Sequence, residues 1–358
     1  MRPALPLAAA TLALATAAWP ARGAAQQPIS PPGAFQLRRF AQNPLVTVSS
    51  SPTLGTNVNG PTVIRVPGWV QRPLGRYYMY FANHMGDFVR LAYADAVTGP
   101  WTVHEPGVLH ARDTAFYRPQ PDPAEALEDF YTHVASPEIL IDPAQQRLVM
   151  WVHGWWTNGE RWPASLREAR AWARQKEYGQ FTQASVSGDG LHFTVQPAIT
   201  RTSYLRVFEK APYFYGVSRL ALVSRSADPV AAFEVGRSLF EGSAYATRVR
   251  HVALVPRGDR LLVFFTAIGD APERVYASTV DLGGDWRQWR ASAPVEVLRP
   301  GTSYECVGLP DAPSEAGDID HPARQIRDPF VFIDEGRSYL FYSTCGEQGI
   351  AAAEIQLP

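Results

Sequence analysis

Residues 61–101 read PTVIRVPGWVQRPLGRYYMYFANHMGDFVRLAYADAVTGPW, and this stretch determines the predicted fold. The β-branched segment PTVIRV is followed by the aromatic segment RYYMYFA, then by RLAYAD, and then by the turn TGPW. Short runs of β-branched and aromatic residues bounded by Gly, Pro, Asn or Asp are typical of strands. The stretch therefore predicts one unit of consecutive short strands separated by turns.

The same layout returns along the rest of the chain. The later copies are SPEILIDPAQQRLVMWVHG with ASVSGDGLHF, YFYGVSRLALVSRSADPVAAF, HVALVPRGDRLLVFFTA with RVYASTVDLGGDW, and RDPFVFIDEGRSYLFYSTCGEQGIAAAEI. Repeated units of this kind pack radially around a common axis. The repeat predicts an all-β fold, a five-bladed β-propeller with four-stranded blades, over residues 57–358. Residues 164–176, ASLREARAWARQK, carry a helical pattern and predict a short helical insertion between the second and third strands of blade two.

The N-terminus predicts export. One Arg precedes an Ala/Leu run and then small residues, which is the pattern of a secretory signal peptide over residues 1–25. The apolar run is short for a transmembrane helix. Residues 26–56 are rich in Pro, Ser and Gln and predict an approach segment with a strand that closes the ring. We therefore expect a secreted or periplasmic protein that has no membrane contact after signal cleavage.

The net charge of the chain and the closed propeller ring limit which binding partners are expected. Lys and Arg number 33 against 34 Asp and Glu, so the formal net charge of −1 gives no reason to expect nucleic acid or an anionic membrane as partner. A closed ring leaves no long free sheet edge, which favours a monomer. Cys306 and Cys345 either form a disulfide that ties a long loop to blade five or remain two buried thiols.

A propeller brings the start of each first strand and the end of each second strand to one face of the disc. Ser136 and Tyr204 lie at such places. The residues predicted there to contact substrate are Asn59, His84, His133, His153, Arg206, Arg250, His251, Arg327 and Glu347.

Two acids are predicted near the axis, Glu138 and Asp328. A pair of carboxylates suits glycosidic chemistry, because one can protonate the leaving oxygen while the other activates water. The alternatives are a buried ion pair of Glu138 with an arginine and a turn function for Asp328. Likewise, Arg206, Arg250 and Arg327 could bind a substrate carboxylate or sulfate, or form internal salt bridges. Trp155 and Trp156 could stack on a sugar or pack beneath the helix.

A metal ion on the axis is an alternative use of four histidines and two acids. Those histidines are His84, His133, His153 and His251. No tight His-x-His or His-Glu-x-x-His spacing supports it, and no cofactor is predicted.

The five-unit layout, with SPEI opening blade two and IRDP opening blade five, resembles the five-bladed propeller glycoside hydrolases, and family 43 in particular, over about residues 42–356. The resemblance implies an inverting hydrolase with an Asp base in blade one, a pKa-tuning Asp in blade two and a Glu acid in blade three. Glu138 matches the second position, with Glu for Asp. Gly60 before Pro61 stands at the base position, and Tyr204 stands near the acid position. Glu241, in EGSAY, is only superficially similar to the acid motif.

Three functions follow as hypotheses. The first is an exported glycoside hydrolase whose partner is an oligosaccharide or glycoside from a plant or microbial glycan, bound at the axial funnel. The second is a non-catalytic sugar-binding propeller that lost the acid and base. The third is another enzyme on the same disc, such as a lyase or a metal-dependent hydrolase.

Overall fold

The strands of the described residues form five antiparallel sheets, and each sheet is one blade of a propeller. The computed structural model describes residues 29–84, 86–118, 132–161, 163 and 165–358. The predicted signal peptide, residues 1–25, lies outside the described residues. The prediction of a five-bladed, all-β propeller with four-stranded blades is confirmed.

The blades follow one another along the chain, and their strands are numbered in chain order. Two strands precede the first complete blade: β1 (Gln36–Arg39) and β2 (Val46–Thr47). Blade one contains β3 (Asn59–Arg65), β4 (Tyr77–Ala82), β5 (Phe88–Ala94) and β6 (Thr102–His110). Blade two contains β7 (Ala135–Asp142), β8 (Arg147–Trp156), β9 (Gly179–Ser187) and β10 (Thr194–Thr200). Blade three contains β11 (Arg206–Lys210), β12 (Tyr213–Val217), β13 (Leu222–Ser226) and β14 (Glu234–Ser238). Blade four contains β15 (Val249–Arg257), β16 (Arg260–Ala267), β17 (Val275–Asp281) and β18 (Val295–Leu298). Blade five contains β19 (Ile326–Asp334), β20 (Arg337–Thr344) and β21 (Gly349–Gln356).

Blade five is completed by the N-terminal part of the chain. Strand β1 pairs antiparallel with β21, with Gln36 opposite Gln356, and β2 pairs with the start of the same strand. The outer strand of the last blade thus comes from the opposite end of the sequence. The inner strands β3, β7, β11, β15 and β19 contact their neighbours in that order, and β19 returns to β3, so the ring is closed.

The second strand of a blade is apolar on both faces because both faces are covered. In β4, Met79 and Phe81 belong to the apolar cluster shared with blade five, whereas Tyr80 belongs to the cluster shared with blade two. Strand β16 alternates in the same way, with Phe265 facing blade three and Phe264 facing blade five. Burial of each such side chain stabilises the fold by about 1.5–3 kcal/mol. Successive residues point to opposite faces, so these strands read as continuous apolar runs.

The α-helix α1 (Leu166–Lys176) lies between β8 and β9, as predicted. The Ser165 hydroxyl caps its N-terminus by accepting from the Glu168 N–H, which satisfies one of the free amides of the first turn. Ala169 and Ala173 are buried against Trp155. Short 3-10 helices occupy Ala111–Asp113, Arg219–Ala221, Trp286–Gln288 and Ser303–Glu305.

Candidate functional site

Most of the inner strands, which line the axis of the propeller, are irregular near their first residues. The ladder between the first and second strands shifts register between Asn59 and Thr62, and equivalent shifts occur in β7, β15 and β19. Bulges of this kind re-aim single side chains. The residues at these four shifts are Gly60, Ser136, His251 and Asp328, and Tyr204 stands at the corresponding place before β11, which pairs with β12 without a shift.

Three of the entry residues that carry side chains adopt an unusual backbone conformation. Ser136, Tyr204 and Asp328 have φ values of 49°, 59° and 52°, in the left-handed region that side chains disfavour. Pro follows Ser136 and Asp328, and Pro lacks the N–H that a regular ladder would require. Strained residues of this kind persist where the surrounding structure holds them, and they cluster at functional sites.

Three of these residues form a contiguous polar chain, which we call the axial relay: Ser136, His251 and Asp328. The His251 Nδ1 contacts the Asp328 Oδ1, and the His251 Nε2 lies 3.4 Å from the Ser136 Oγ. All three residues are buried. Burial, reinforced by the charges of Arg250 and Arg206, holds the pKa of His251 well below its usual range. In this order the imidazole can accept a proton on the side of the serine, while the carboxylate orients the ring and stabilises the imidazolium that forms.

The second oxygen of Asp328 is fixed by two further donors. Its Oδ2 accepts from the Ser343 Oγ at 2.9 Å and from the Gly60 N–H at 3.3 Å. Gly60 has a φ of 60°, and a Cβ at this position would lie 3.0 Å from the Ser136 Cα. Blade one therefore requires glycine where the resemblance to family 43 placed a catalytic base.

Aromatic rings cover the axial relay. The Tyr204 ring lies against His251 on one side and His153 on the other, with centroid separations of 4.1 Å and 4.0 Å. His133 contacts the far side of His153, with centroids 5.8 Å apart. Burial, with the neighbouring His133 and His84, lowers the pKa of His153 well below its usual range, so its ring is neutral at pH 7.

Glu138 lies one level further along the axis, in what we call the lower layer: Thr62, Glu138, Arg206 and Phe330. The Arg206 Nη1 donates to the Glu138 Oε2 at 2.6 Å and to the Thr62 Oγ1 at 2.6 Å. The guanidinium carbon lies 5.6 Å from the centre of the Phe330 ring. Burial raises the pKa of Glu138 and outweighs the opposing effect of Arg206. Of the two functions considered for Glu138, the geometry favours the buried ion pair.

The remaining predicted residues form a peripheral network of alternating charges. Arg250 donates to both oxygens of Glu273, at 3.0 and 3.2 Å, and Arg327 lies 3.5 Å from the same carboxylate. Arg327 also donates to Glu347 at 3.0 Å, and the other Glu347 oxygen lies 2.9 Å from the His84 Nδ1. The internal salt bridges that the sequence left open are therefore present for Arg250 and Arg327.

The carboxylates of the peripheral network are held ionised. Burial raises the pKa of Glu347, but His84, Arg327 and an amide hydrogen bond from Asn59 outweigh it and lower the pKa to about 2. Burial raises the pKa of Glu273 as well, and the charges of Arg250 and Arg327 again outweigh it. Sequence reasoning missed Glu273, because it lies in the turn after β16 and only the fold brings it to the arginines.

A cavity of about 510 Å³ opens above Tyr204. We call it the axial cavity. Its lining residues are Trp155, Arg170, Ala173, Arg174, Tyr178, Gln180, Ser203, Tyr204, Arg219, Arg250, Ile268, Ala316 and Gly317. Neither Glu138 nor Asp328 belongs to this lining. Arg174 and Arg219 were not predicted, since the first lies on an inserted helix and the second in a turn.

The structure thus places both predicted acids and all the predicted substrate-contacting residues in the axial relay, among the rings around Tyr204, in the lower layer or in the peripheral network. Glu241 is the exception among the candidates, because it is exposed and accepts from Arg290 at 2.6 Å on the outer side of blade three. Cys306 and Cys345 form the predicted disulfide, with Cα atoms 5.0 Å apart.

Within the part of the chain that the structure describes, no group of three or more His, Cys, Asp or Glu is arranged to hold a metal ion. No helix within the same residues combines the length and the apolar character needed to cross a membrane.

No protein-family model matches the chain. The chain is 33% identical over 341 residues to the uncharacterized protein R118 of Acanthamoeba polyphaga mimivirus, and the alignment covers 88% of this chain and 89% of R118.

Solved structures show the same architecture at low identity. A variant of the GH43 protein BlXynB from Bacillus licheniformis matches with a TM-score of 0.56 and 11% identity, over 90% of this chain and 55% of that one, so this chain spans about half its length. CoXyl43, a GH43 β-xylosidase/α-arabinofuranosidase from a compost microbial metagenome in complex with xylotriose, matches with a TM-score of 0.52 and 12% identity, over 89% and 95% of the two chains. The chain therefore belongs to the same family as protein R118, and its fold is that of the five-bladed propeller glycoside hydrolases.

Proposed function

We propose that the protein binds an oligosaccharide or glycoside in the axial cavity and hydrolyses a glycosidic bond there. The observation that carries this proposal is the axial relay, which ends directly beneath the Tyr204 ring at the floor of the cavity. CoXyl43 is a β-xylosidase/α-arabinofuranosidase in complex with xylotriose, which supports a carbohydrate ligand on this fold.

The chemistry assigns different tasks to the two predicted acids. Hydrolysis needs a group that accepts a proton from water and a group that donates one to the leaving oxygen. The His251 imidazole, with Asp328 on its Nδ1, suits a group that accepts the proton of the attacking water; the imidazolium, stabilised by the Asp328 carboxylate, then gives that proton to the leaving oxygen. Glu138 does not line the cavity, and its task is to hold Arg206 and Thr62 in place beneath the relay.

Access to the relay depends on Tyr204. Its ring separates the axial cavity from His251, so hydrolysis requires this side chain to move when substrate binds. Such a movement would bring the scissile bond to the imidazole and exclude water from the reaction centre.

A second candidate function is sugar binding without hydrolysis. It is favoured by the burial of both predicted acids, since Asp328 is fully buried and the Glu138 side chain is only 9% exposed. Each carboxylate already has a cationic or imidazole partner.

The test uses the purified protein and a panel of chromogenic arabinosides, xylosides, fructosides and galactosides. We expect Asp328→Asn to lower the hydrolysis rate by at least about 100-fold, the lower range for loss of acid–base catalysis. Asp334→Asn is the matched control, because Asp334 lies at the other end of the same strand, outside the axial relay, and accepts from the Tyr77 hydroxyl at 2.8 Å. Sugar binding with no turnover of any substrate would reject hydrolysis and leave the binding function. Equal loss in both variants would reject the assignment of Asp328.

We also propose that the protein is exported and monomeric. The signal-like residues 1–25 and the Cys306–Cys345 disulfide support export, because disulfides persist in oxidising compartments. Cell fractionation with and without residues 1–25 tests the first point, and light scattering of the purified protein tests the second.

A further inference from the structure

We infer that the axial cavity selects a glycan that carries an anionic group, a carboxylate or a sulfate ester, and that Arg219 and Arg174 bind this group. The inference rests on the proposed function in one respect, namely that the ligand is a carbohydrate. It adds the chemical class of that ligand and the residues that choose it.

The lining of the cavity has an excess of positive charge. Four arginines line it, Arg170, Arg174, Arg219 and Arg250, and the described lining contains no Asp or Glu. Ala316 and Gly317 contribute to the wall, but the flanking carboxylates of Glu315 and Asp318 do not. A concave surface of one charge concentrates the opposite charge.

The arginines differ in whether their charge is already compensated. Arg250 is neutralised by the two bonds to Glu273. Within the described residues, the guanidinium groups of Arg174 and Arg219 form no ion pair and no hydrogen bond with another side chain. Among the described residues these two charges are thus uncompensated, which suits them to an anionic ligand.

Arg219 is held in place by a constrained turn. Leu220 and Ala221, the next two residues, both have left-handed conformations, with φ values of 60° and 53°. The turn is closed by a 3.0 Å bond from the Ser218 N–H to the Leu222 carbonyl, and the Arg219 N–H donates to the Ser203 carbonyl at 3.0 Å. Two consecutive left-handed side-chain-bearing residues are disfavoured and are retained where the fold requires that geometry. Here the geometry sets Arg219 beside the Ser203–Tyr204 edge of the cavity.

Arg174 approaches from a different element. It lies in the last turn of α1, the helix inserted between β8 and β9. The insertion thus supplies a cavity wall rather than only a surface decoration, since Ala173 and Arg174 both line the cavity. Guanidinium groups from two elements suit a carboxylate or sulfate, because each can form paired charge-assisted bonds to the oxygens.

The test compares matched ligands by titration calorimetry with the full chain. The probes are trigalacturonate, its fully methyl-esterified form, and a sulfated neutral trisaccharide with its unsulfated parent. We expect at least one anionic probe to bind about tenfold or more tighter than its neutral counterpart, the effect of one charge-assisted bond. Which anionic probe binds identifies the carboxylate or the sulfate as the recognised group.

Arginine variants test whether Arg174 and Arg219 cause the preference for the anionic probe. Arg219→Gln and Arg174→Gln should each lower the ratio of anionic-probe to neutral-probe affinity towards one. Arg237→Gln is the control, because it removes the same charge from an exposed position on the same blade. Equal affinity for anionic and neutral probes would overturn this inference and leave carbohydrate binding standing. Binding of no probe at all would overturn both, and an equal loss in Arg237→Gln would reject the assignment to the cavity.

Discussion

Removal of the Arg206 guanidinium should strongly destabilise the protein, because Glu138 would remain buried without its cation. The substitution Arg206→Met keeps a long apolar side chain but deletes the bonds to Glu138, to Thr62 and to the Pro137 carbonyl, at 2.6, 2.6 and 2.9 Å. Breaking one side of a buried ion pair typically costs about 3–5 kcal/mol. We therefore expect the free energy of unfolding to fall by about 3–5 kcal/mol at pH 8.

The loss should depend on pH in a defined direction. Burial already raises the pKa of Glu138 in the presence of Arg206, and without the guanidinium the carboxyl is more easily protonated in the folded state. A carboxyl whose folded pKa lies above its unfolded value stabilises the fold below the unfolded value and loses that contribution as pH rises through the folded value. Arg206→Met should therefore be less destabilised at pH 5 than at pH 8.

The assay is guanidinium-induced unfolding followed by tryptophan fluorescence, for Arg206→Met, Glu138→Gln and the double variant. The double variant removes the buried charge as well as its partner, so it should recover most of the stability lost in Arg206→Met. A loss below about 1 kcal/mol in Arg206→Met, the scale of an exposed pair, would refute the view that this ion pair holds the lower layer together.

Three further predictions concern the axis and the last blade. The pKa of His153 is lower in the folded than in the unfolded protein, so the stability from its buried neutral ring is complete above the unfolded pKa and is lost as pH falls towards the folded pKa. Below about pH 6.5 the free energy of unfolding of wild type should therefore fall by about 1.4 kcal/mol per pH unit more than that of His153→Phe. Parallel curves of unfolding free energy against pH would contradict this. Gly60→Ala should cost about 1–2 kcal/mol from its left-handed conformation, plus the close approach to Ser136, as measured by urea unfolding; an unchanged midpoint would show that the entry into β3 is relaxed. Replacing Cys306 and Cys345 by Ser opens a loop of 39 residues and should cost about 4 kcal/mol by chain entropy; a thiol titration that finds two free groups in the unreduced wild type would remove the basis of this value.

The blade pattern was predictable because its cause is local. Segments such as RYYMYFA and RLLVFFTA are almost entirely apolar, and the structure shows each of them covered by neighbouring blades on both faces. The helix was predicted over residues 164–176 from its own periodicity, and it spans Leu166–Lys176. Features of this kind depend on neighbouring residues and can be read from the chain.

Contacts between side chains of different blades were harder to predict from the sequence. Glu273 compensates Arg250 and Arg327 from a turn whose path only the folded blade defines. The sequence placed Ser136 at the axial face but predicted no hydrogen-bond partner for it. Its contact with His251 depends on bulges in blades two and four. The recurrence of Gly-Pro, Ser-Pro and Asp-Pro at residues 60, 136 and 328 is the signal that could have identified the entry points.

The arginines illustrate how burial changes an interpretation. Arg206, Arg250 and Arg327 looked equally suited to a substrate anion or to internal ion pairs, and the structure gives each of them a carboxylate. Among the residues that the structure describes, Arg174 and Arg219 in the lining of the axial cavity have no carboxylate partner. Recognition and stability are thus assigned to different arginines.

A crystal structure of the Asp328→Asn variant soaked with the oligosaccharide that binds best would test the central claim most directly. We predict the sugar in the axial cavity, in contact with Tyr204 and with its anionic group between Arg174 and Arg219. A sugar bound on the outer edge of the blades, with the Tyr204 floor unoccupied, would contradict the account.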